Sequence, residues 1–288
     1  MRDYVIFADS ACDISCDLLK EWGVKYCSLT LVFSDDTIEY SDHEIPASEF
    51  YQKMRNGAQA KTSAANTGKF YEAFEGIVKD GFDILYLAFS SGLSATVNFA
   101  REAAKEVMSE YSDSKIVVVD TLCASAGYGL LVKLAVDKKN EGASIDELAE
   151  YAENTKLKVT HWFTVDDLKY LKAGGRISAT TALVGGMLNI KPVMKVDDNG
   201  KLVSISKVRG RKAALKAIAD IYDESAIDKK DGVVFISHGD CIDDANALAG
   251  MIKEKSGATV QLITNIGPVI GSHSGPGTLA LFYLVNER

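Results

Sequence analysis

Apolar strand patterns and helical patterns alternate along the first 140 residues, and this alternation constrains the fold more than any other feature. Short apolar runs over 4–8, 83–89 and 115–120 are each followed by a segment with helical spacing. Strands separated by helices of ten or more residues imply βαβ crossovers and parallel pairing. The sequence therefore predicts an α/β fold whose N-terminal part is a largely parallel sheet flanked by helices.

A second α/β pattern begins near residue 159. The run Asp198-Asn199-Gly200 separates strand-like residues 190–196 from 201–208, and Asn-Gly suits the type I′ turn of a hairpin. Helices and strands then alternate up to a final apolar strand over 278–285. We predict two α/β domains, residues 1–158 and the smaller residues 159–288, with the hairpin in the second.

Less regular patterns fill the rest of the N-terminal part. The sequence predicts one strand over 24–33, a turn at Asp35-Asp36 and a strand over 37–40, because aspartates favour turns between apolar runs. Helices are predicted to end near Gly57, Gly81 and Gly142, since glycine commonly follows the last helical residue.

Composition argues against several functional classes. The formal net charge of −8 argues against a general nucleic-acid binder, which needs a basic face. No run approaches the roughly 18 apolar residues of a membrane span, and no signal-peptide pattern is visible. The five cysteines are scattered without metal-finger spacing. We expect a cytoplasmic protein with free thiols, no metal and no stable membrane insertion.

Hydroxyl-rich loops follow the predicted parallel strands. Ligands of such sheets bind beyond the carboxyl ends of the strands, where Ser90-Ser91-Gly92-Leu93-Ser94 opens a helix. The first N–H groups of a helix attract anions, although Ser91 or Ser94 could equally be a helix cap. The loop lacks both dinucleotide and P-loop glycine spacing. It therefore fits a carboxylate or a single phosphate better than a nucleotide.

Three other segments carry candidate ligand groups. Thr62 and Ser63 lie upstream of a predicted helix cap, so they bind a ligand or form a turn. Arg176 follows Gly174-Gly175 at the predicted end of a helix, where its guanidinium can bind a carboxylate or form a surface ion pair. A basic cluster is a solvated face or a contact for phosphate or an acidic partner; it comprises Lys207, Arg209, Arg211 and Lys212.

The segment 267–277 reads G-P-V-I-G-S-H-S-G-P-G, with His273 at its centre. Glycine permits close backbone approach and proline restricts φ. The segment is either a wall of a site for a small anionic or polar ligand or a tight loop between two strands. The pattern Gly-x-Ser-x-Gly of a nucleophile elbow has serine at its centre, whereas residues 271–275 have His273 there. A serine–histidine–acid arrangement assembled from distant residues stays open.

Seven motifs, taken in order, resemble those of the DegV family over essentially the whole chain. They are Asp9-Ser10, Lys61-Thr62-Ser63, Ser90-Ser91-Gly92-Leu93-Ser94, Leu171-Lys172-Ala173-Gly174-Gly175-Arg176-Ile177, Asn189-Ile190-Lys191-Pro192, Arg209-Gly210-Arg211 and residues 267–277. The resemblance implies a bacterial cytoplasmic protein that binds a long-chain fatty acid such as palmitate. Some members are the acyl-binding subunit of fatty acid kinase, whose separate ATP-binding subunit phosphorylates the carboxylate.

The resemblance also implies where the fatty acid binds. It places the carboxylate between the two domains and the acyl chain in the N-terminal domain. By motif, the carboxylate ligands are Thr62, Ser94, Arg176 and His273. Supporting residues are Ser63, Ser91, Gly92, Arg209 and Gly271. The sequence departs from the family at Ser63-Ala64-Ala65, where Ser-Gln-Pro is frequent, and at Thr121-Leu122-Cys123, where many members have Ser-Lys.

These observations lead to one main hypothesis and two alternatives. The main hypothesis is a non-catalytic fatty-acid-binding protein that needs no cofactor and presents its ligand to a kinase subunit. The first alternative is a serine-dependent acyl hydrolase that uses Ser91, Ser94 or Ser272 together with His273. The second alternative is a lipid carrier or sensor that acts without a kinase.

Overall fold

The computed structural model describes residues 2–34, 37–178 and 189–288. The strands of these ranges are β1 (Tyr4–Asp9), β2 (Lys25–Cys27), β3 (Thr30–Phe33), β4 (Glu39–Ser41), β5 (Ala60–Ser63), β6 (Asp83–Ala88), β7 (Ile116–Asp120), β8 (Val159–Thr164), β9 (Ile190–Val196), β10 (Leu202–Arg209), β11 (Phe235–His238), β12 (Leu262–Asn265) and β13 (Leu279–Leu284).

The helices of the same ranges are α1 (Cys16–Glu21), α2 (Ala47–Arg55), α3 (Thr67–Lys79), α4 (Thr96–Glu110), α5 (Ser125–Asn140), α6 (Ile145–Thr155), α7 (Lys169–Ala173), α8 (Arg211–Ser225), α9 (Ile242–Ser256) and α10 (Pro268–Ser274). Across the described ranges, no helix is both long enough and apolar enough to cross a bilayer.

Three sheets organise the residues that the structure describes. The first is a four-stranded sheet in the order β2-β1-β6-β7, with every pair parallel. The second is a six-stranded sheet in the order β10-β9-β8-β13-β11-β12, in which only β11 and β12 pair in parallel among the described strands. A small antiparallel sheet, β4-β3-β5, accompanies the first. The predicted α/β fold with a parallel sheet in its N-terminal part is confirmed.

All strands of the parallel and small sheets come from residues before 121, and all strands of the six-stranded sheet come from residues after 158. The domain boundary near residue 158 stays a prediction.

Helix α5 lies between the two large sheets and is buried on nearly all sides of its first two turns. Two of its glycines make this packing possible. A Cβ on Gly127 would collide with the rings of His161 and Phe282, and a Cβ on Gly129 would lie 2.5 Å from Cγ1 of Ile14. The sheets therefore approach each other closely around the start of α5.

The structure corrects one local prediction and adds two elements that the sequence did not indicate. Residues 24–33 do not form one strand but two, because the chain leaves the parallel sheet after β2 and enters the small sheet as β3. Two segments for which no element is predicted are regular in the structure: residues 60–63 form β5, and residues 145–155 form α6. The turn predicted at Asp35-Asp36 lies outside the described residues.

The predicted hairpin between β9 and β10 is confirmed, but its turn is not type I′. A type I′ turn needs two central residues with positive φ, and here Gly200 has φ 69° while Asn199 is not left-handed. The Asp197 carboxylate accepts hydrogen bonds from the backbone N–H of Asn199 at 3.0 Å and of Lys201 at 2.9 Å. These bonds favour a type I turn that a left-handed glycine closes.

The glycine-rich segment 267–277 is not simply a loop, because most of it forms the short helix α10. Pro268 occupies the first turn, where its missing N–H costs nothing. Gly275, with φ 82°, ends the helix.

Two buried aspartates hold the start of α10. The backbone N–H of Gly267 donates to Asp13 Oδ1 at 2.8 Å and that of Val269 donates to Asp42 Oδ1 at 2.7 Å.

Candidate functional site

A cavity of about 300 Å³ lies between the six-stranded sheet and the loop that follows β6. This volume is at the lower end of the range for small-molecule sites. Most of its wall is apolar and comes from both halves of the chain: Leu29, Phe89, Leu93, Phe163, Leu171, Val196, Leu202, Ile266, Val269, Ile270, Ala280 and Phe282. The cavity therefore belongs to the interface between the halves rather than to the N-terminal part alone.

Thr62, Ser94, Arg176 and His273 all line this cavity. They form one continuous polar region. Thr62 contacts His273, Gly174 lies between His273 and Arg176, and Arg176 bonds to the residue before Ser94. The four residues that the motifs pointed to are thus brought together from segments up to 211 positions apart.

Thr62 reaches the cavity because it lies on β5. In β5 the side chains of Lys61 and Ser63 are exposed, whereas Thr62 is half-buried and pairs with Leu31 of β3. This alternation is the normal consequence of a strand's two-residue period. The Thr62 Oγ1 lies 2.7 Å from Nε2 of His273.

Ser94 follows β6 in a turn that is closed by its own N–H and that of Leu93, both 3.1 Å from the Ser90 carbonyl. Helix α4 begins at Thr96, two residues after Ser94. The Ser94 Oγ accepts a hydrogen bond from the Thr96 N–H at 3.3 Å and lies 2.8 Å from Thr96 Oγ1. Ser94 therefore supports the start of the helix and lines the cavity as well.

Arg176 follows α7 and is half-buried. Its Nε donates to the Leu93 carbonyl at 3.3 Å, and its Nη1 donates to the Gly174 carbonyl. In the part of the chain that the structure describes, no carboxylate forms an ion pair with this guanidinium. Burial lowers the pKa of Arg176 below its ordinary value, yet an arginine stays charged at any physiological pH. The cavity thus contains a partly desolvated positive charge.

His273 lies near the end of α10. Burial, followed by the positive charge of Arg176, lowers its pKa to about 4. The imidazole is therefore neutral at neutral pH. Its Nδ1 is buried and has no hydrogen-bond partner among the described residues.

The supporting residues differ in where they lie. Ser63 lines the cavity. Ser91 is exposed, with its N–H donating to Asp120 Oδ1 at 3.1 Å, and Arg209 is exposed at the end of β10.

Gly92 and Gly271 allow close packing instead of facing the cavity. A Cβ on Gly92 would lie 2.5 Å from the Asn199 carbonyl oxygen, and a Cβ on Gly271 would lie 2.5 Å from the Tyr51 hydroxyl.

Sequence reasoning gave no role to His161, which lines the cavity beside Phe282 at a ring-centroid distance of 5.3 Å. Its Nε2 accepts a hydrogen bond from the Ala124 N–H at 3.2 Å, so its Nδ1 carries the proton and donates to the Val159 carbonyl at 3.0 Å. Burial holds the pKa of His161 well below its ordinary value. The two-residue period of β8, which puts His161 and Phe163 on one face, is the signal that could have found it.

The buried carboxylate of Asp9 holds the loop that carries Ser94 in place. Asp9 accepts hydrogen bonds from the Tyr86 hydroxyl at 2.6 Å and from the Phe89 N–H at 3.1 Å. Burial raises the pKa of Asp9 to about 6. The Asp9-Ser10 motif therefore positions the loop and does not line the cavity.

Comparison with known proteins agrees with this architecture. The family model described as "Uncharacterised protein, DegV family" matches residues 3–286. The chain belongs to the DegV family. A DegV domain-containing protein of Clostridium perfringens is 45% identical over 291 residues, covering 100% of this chain and 99% of that protein.

Solved DegV structures extend the likeness to the fold. A stearic-acid-binding protein from Eubacterium ventriosum has a TM-score of 0.89 and 26% identity, covering 98% of both chains. A Thermus thermophilus DegV family protein, whose structure concerns fatty acid binding, has a TM-score of 0.86 and 30% identity, covering 99% of this chain and 100% of that chain. The resemblance to the DegV family that the seven motifs indicated is confirmed.

Proposed function

We propose that this DegV protein binds one long-chain fatty acid, with the carboxylate at Arg176, Thr62 and Ser94 and the acyl chain along the apolar wall of the cavity. The observation that carries the proposal is the guanidinium of Arg176, which lines an apolar cavity and contacts two backbone carbonyls but no carboxylate among the described residues. The DegV structures from Eubacterium ventriosum and Thermus thermophilus, which concern stearic acid and fatty acid binding, support it.

The acyl chain of a fatty acid matches the apolar wall of the cavity, and its carboxylate matches the polar region. Each buried methylene contributes roughly 0.8 kcal/mol, so a sixteen-carbon chain offers on the order of 10 kcal/mol before the costs of binding. The carboxylate cannot enter an apolar cavity unpaired. The guanidinium and the two hydroxyls supply charge-assisted donors where the polar region lines the cavity. Binding of a fatty acid in this way requires no cofactor.

The cavity reaches the surface beside its polar region, because the lining residues Ser63 and Ala95 are exposed. A carboxylate held next to them is accessible to a second protein. We therefore propose that the protein acts in the cytoplasm and presents the fatty acid to an ATP-binding kinase subunit. There a carboxylate oxygen attacks the γ-phosphorus of ATP, the bond to ADP breaks, and an acyl phosphate forms. The exposed Arg209 is a candidate contact for that subunit.

The hydrolase alternative receives less support from the geometry. A serine hydrolase needs a serine bonded to a histidine that an acid orients. Here His273 Nε2 is paired with Thr62, and Ser272 Oγ donates to the Pro268 carbonyl at 2.7 Å. Within the described ranges no carboxylate is hydrogen-bonded to His273. A histidine with a pKa of about 4 is also a weak general base near neutral pH.

A phosphoryl-transfer assay separates the three functions. Delipidated protein is loaded with palmitate and mixed with ATP and a fatty acid kinase subunit from the same organism, and the acyl phosphate is trapped with hydroxylamine. We expect hydroxamate only when all three components are present. A carrier or sensor would yield none, and a hydrolase would cleave an acyl ester without ATP or a second protein.

A further inference from the structure

The ring of His273 has two nitrogens, and neither is free to meet a ligand. Nε2 lies 2.7 Å from Thr62 Oγ1. Nδ1 faces the α-carbon of Gly174, is buried and has no hydrogen-bond partner among the described residues. His273 thus lines the cavity with its ring while both of its polar atoms are already covered.

The contact with Gly174 determines which nitrogen carries the proton. A Cβ on Gly174 would lie 3.2 Å from both ring carbons that flank Nδ1, and much closer to Nδ1 itself. A point above the ring would be almost as close to the carbons as to the nitrogen. The position therefore lies in front of Nδ1, on the axis of its in-plane lone pair.

The hydrogen that such a Cβ would replace lies between the Gly174 α-carbon and Nδ1 and points toward that nitrogen. A lone pair accepts this C–H as a weak hydrogen bond, whereas an N–H would meet it head-on. Arg176 adds to this preference, because its Nη1 donates to the Gly174 carbonyl and so brings its positive charge near that side of the ring. A positive charge favours a lone pair over an N–H.

We infer that His273 is the neutral Nε2–H tautomer, which donates to Thr62 Oγ1 and thereby leaves the hydroxyl proton of Thr62 free for the ligand carboxylate. A hydroxyl has one proton to donate. With Nε2–H as the donor in the pair, Thr62 has to direct its own proton elsewhere, and the cavity is on that side. His273 is then a positioning residue for Thr62, and Gly174 is required because only glycine leaves room for the ring. The role of Thr62 as a carboxylate donor rests on the proposed function, but the tautomer does not.

The tautomer is directly measurable in the full-length protein without ligand. Two-bond ¹H–¹⁵N correlation spectra of the imidazoles near neutral pH distinguish a protonated from an unprotonated ring nitrogen. The chain has four histidines, and His273→Gln identifies the signals of residue 273. We expect a protonated Nε2 and an unprotonated Nδ1. A protonated Nδ1, alone or together with Nε2, would overturn the inference whatever the ligand proves to be.

A double-mutant cycle with palmitate then tests how His273 acts. We expect His273→Asn to weaken palmitate binding about tenfold in the wild-type background. In a Thr62→Val background, His273→Asn should change the Kd for palmitate by less than about twofold, because no hydroxyl is left to orient. His273→Gln, whose amide N–H reaches farther, should retain more of the affinity than His273→Asn. Equal losses in both backgrounds would mean that His273 contacts the ligand itself. If palmitate does not bind at all while the predicted tautomer is found, only the proposed function fails.

Discussion

The Nε of Arg176 donates a hydrogen bond to the backbone carbonyl of Leu93 at 3.3 Å, across the boundary between the two halves of the chain. Arg176 follows strand β8 and helix α7 along the chain, whereas Leu93 lies in the loop after β6. A carbonyl does not neutralise the positive charge of the guanidinium, and no carboxylate among the described residues pairs with it. The contact thus joins the charge to the residue before Ser94, on the wall of the same cavity.

Removing this charge is expected to weaken fatty-acid binding strongly. Hydrogen bonds to charged groups contribute about 1.5–3 kcal/mol, so Arg176→Leu should raise the Kd for palmitate about tenfold to a hundredfold. Displacement of a fluorescent fatty acid measures this Kd. The matched control is Lys172→Leu, which removes an exposed positive charge four residues away. Equal Kd values for wild type and Arg176→Leu would show that the guanidinium does not bind the carboxylate.

The two serines of the loop after β6 provide a second matched pair. Ser94 lines the cavity, whereas Ser91 is exposed and lies off its wall. Ser94→Ala should weaken palmitate binding about threefold to thirtyfold through the lost hydrogen bond, and Ser91→Ala should leave it unchanged. The same displacement assay compares them. A weakening by Ser91→Ala that matches Ser94→Ala would mean that the loop's stability, not the hydroxyl in the cavity, controls binding.

Substitution of Gly92 tests the docking of this loop on the hairpin. A Cβ there would lie 2.5 Å from the Asn199 carbonyl oxygen and 2.7 Å from that of Gly200, and neither backbone atom can move alone. Gly92→Ala should lower the free energy of unfolding by about 1–3 kcal/mol, measured by urea denaturation. The control is Gly76→Ala on the exposed face of α3, with nothing within 4 Å of the added methyl group. It should raise stability by about 0.5–1 kcal/mol. A stable Gly92→Ala variant would contradict the packing described.

The buried Asp42 predicts a specific pH dependence of stability. Burial raises its pKa from 3.8 to about 7. Between these two values the folded state retains a proton that the unfolded state releases, so this contribution is present below about pH 4 and is lost as the pH rises to about 7. Its size is ~1.4 kcal/mol for each unit that separates the two pKa values.

Asp42→Asn should remove that dependence. The asparagine oxygen can still accept the hydrogen bond from the Val269 N–H. The variant should therefore gain stability relative to wild type between about pH 4 and about pH 8, measured by urea denaturation at each pH. Asp137→Asn, at an exposed ion pair with Lys133 on α5, is the control and should show no such trend. A constant difference between Asp42→Asn and wild type would show that Asp42 stays ionised in the folded protein.

The sequence predicted the elements whose signals are local. Asn66 caps α3 by accepting from the Lys69 N–H at 2.9 Å, and Gly81 with φ 92° follows the end of that helix. Both features act over a few residues, so the pattern alone identifies them. The same reading could have found α6, because Ser144 and Glu147 form a capping box.

Strand β5 and the site's contacts depend on distant residues. Residues 60–63 are mostly polar, and their strand conformation comes from pairing with β3. The contact of Thr62 with His273 joins residues 211 positions apart. The burial of His273 Nδ1 against Gly174 depends on how α10 packs against α7. The motifs could name the residues of the site, but only the tertiary packing separates those that line the cavity from those that support it.

The central claim is that a fatty acid occupies the cavity with its carboxylate at Arg176. Mass spectrometry of the lipid extracted under denaturing conditions from the purified protein tests it most directly. We predict about one long-chain fatty acid per chain in the wild type and a marked loss in Arg176→Leu, with Lys172→Leu retaining its lipid. A wild-type protein that yields no fatty acid and cannot be loaded with palmitate would contradict the account.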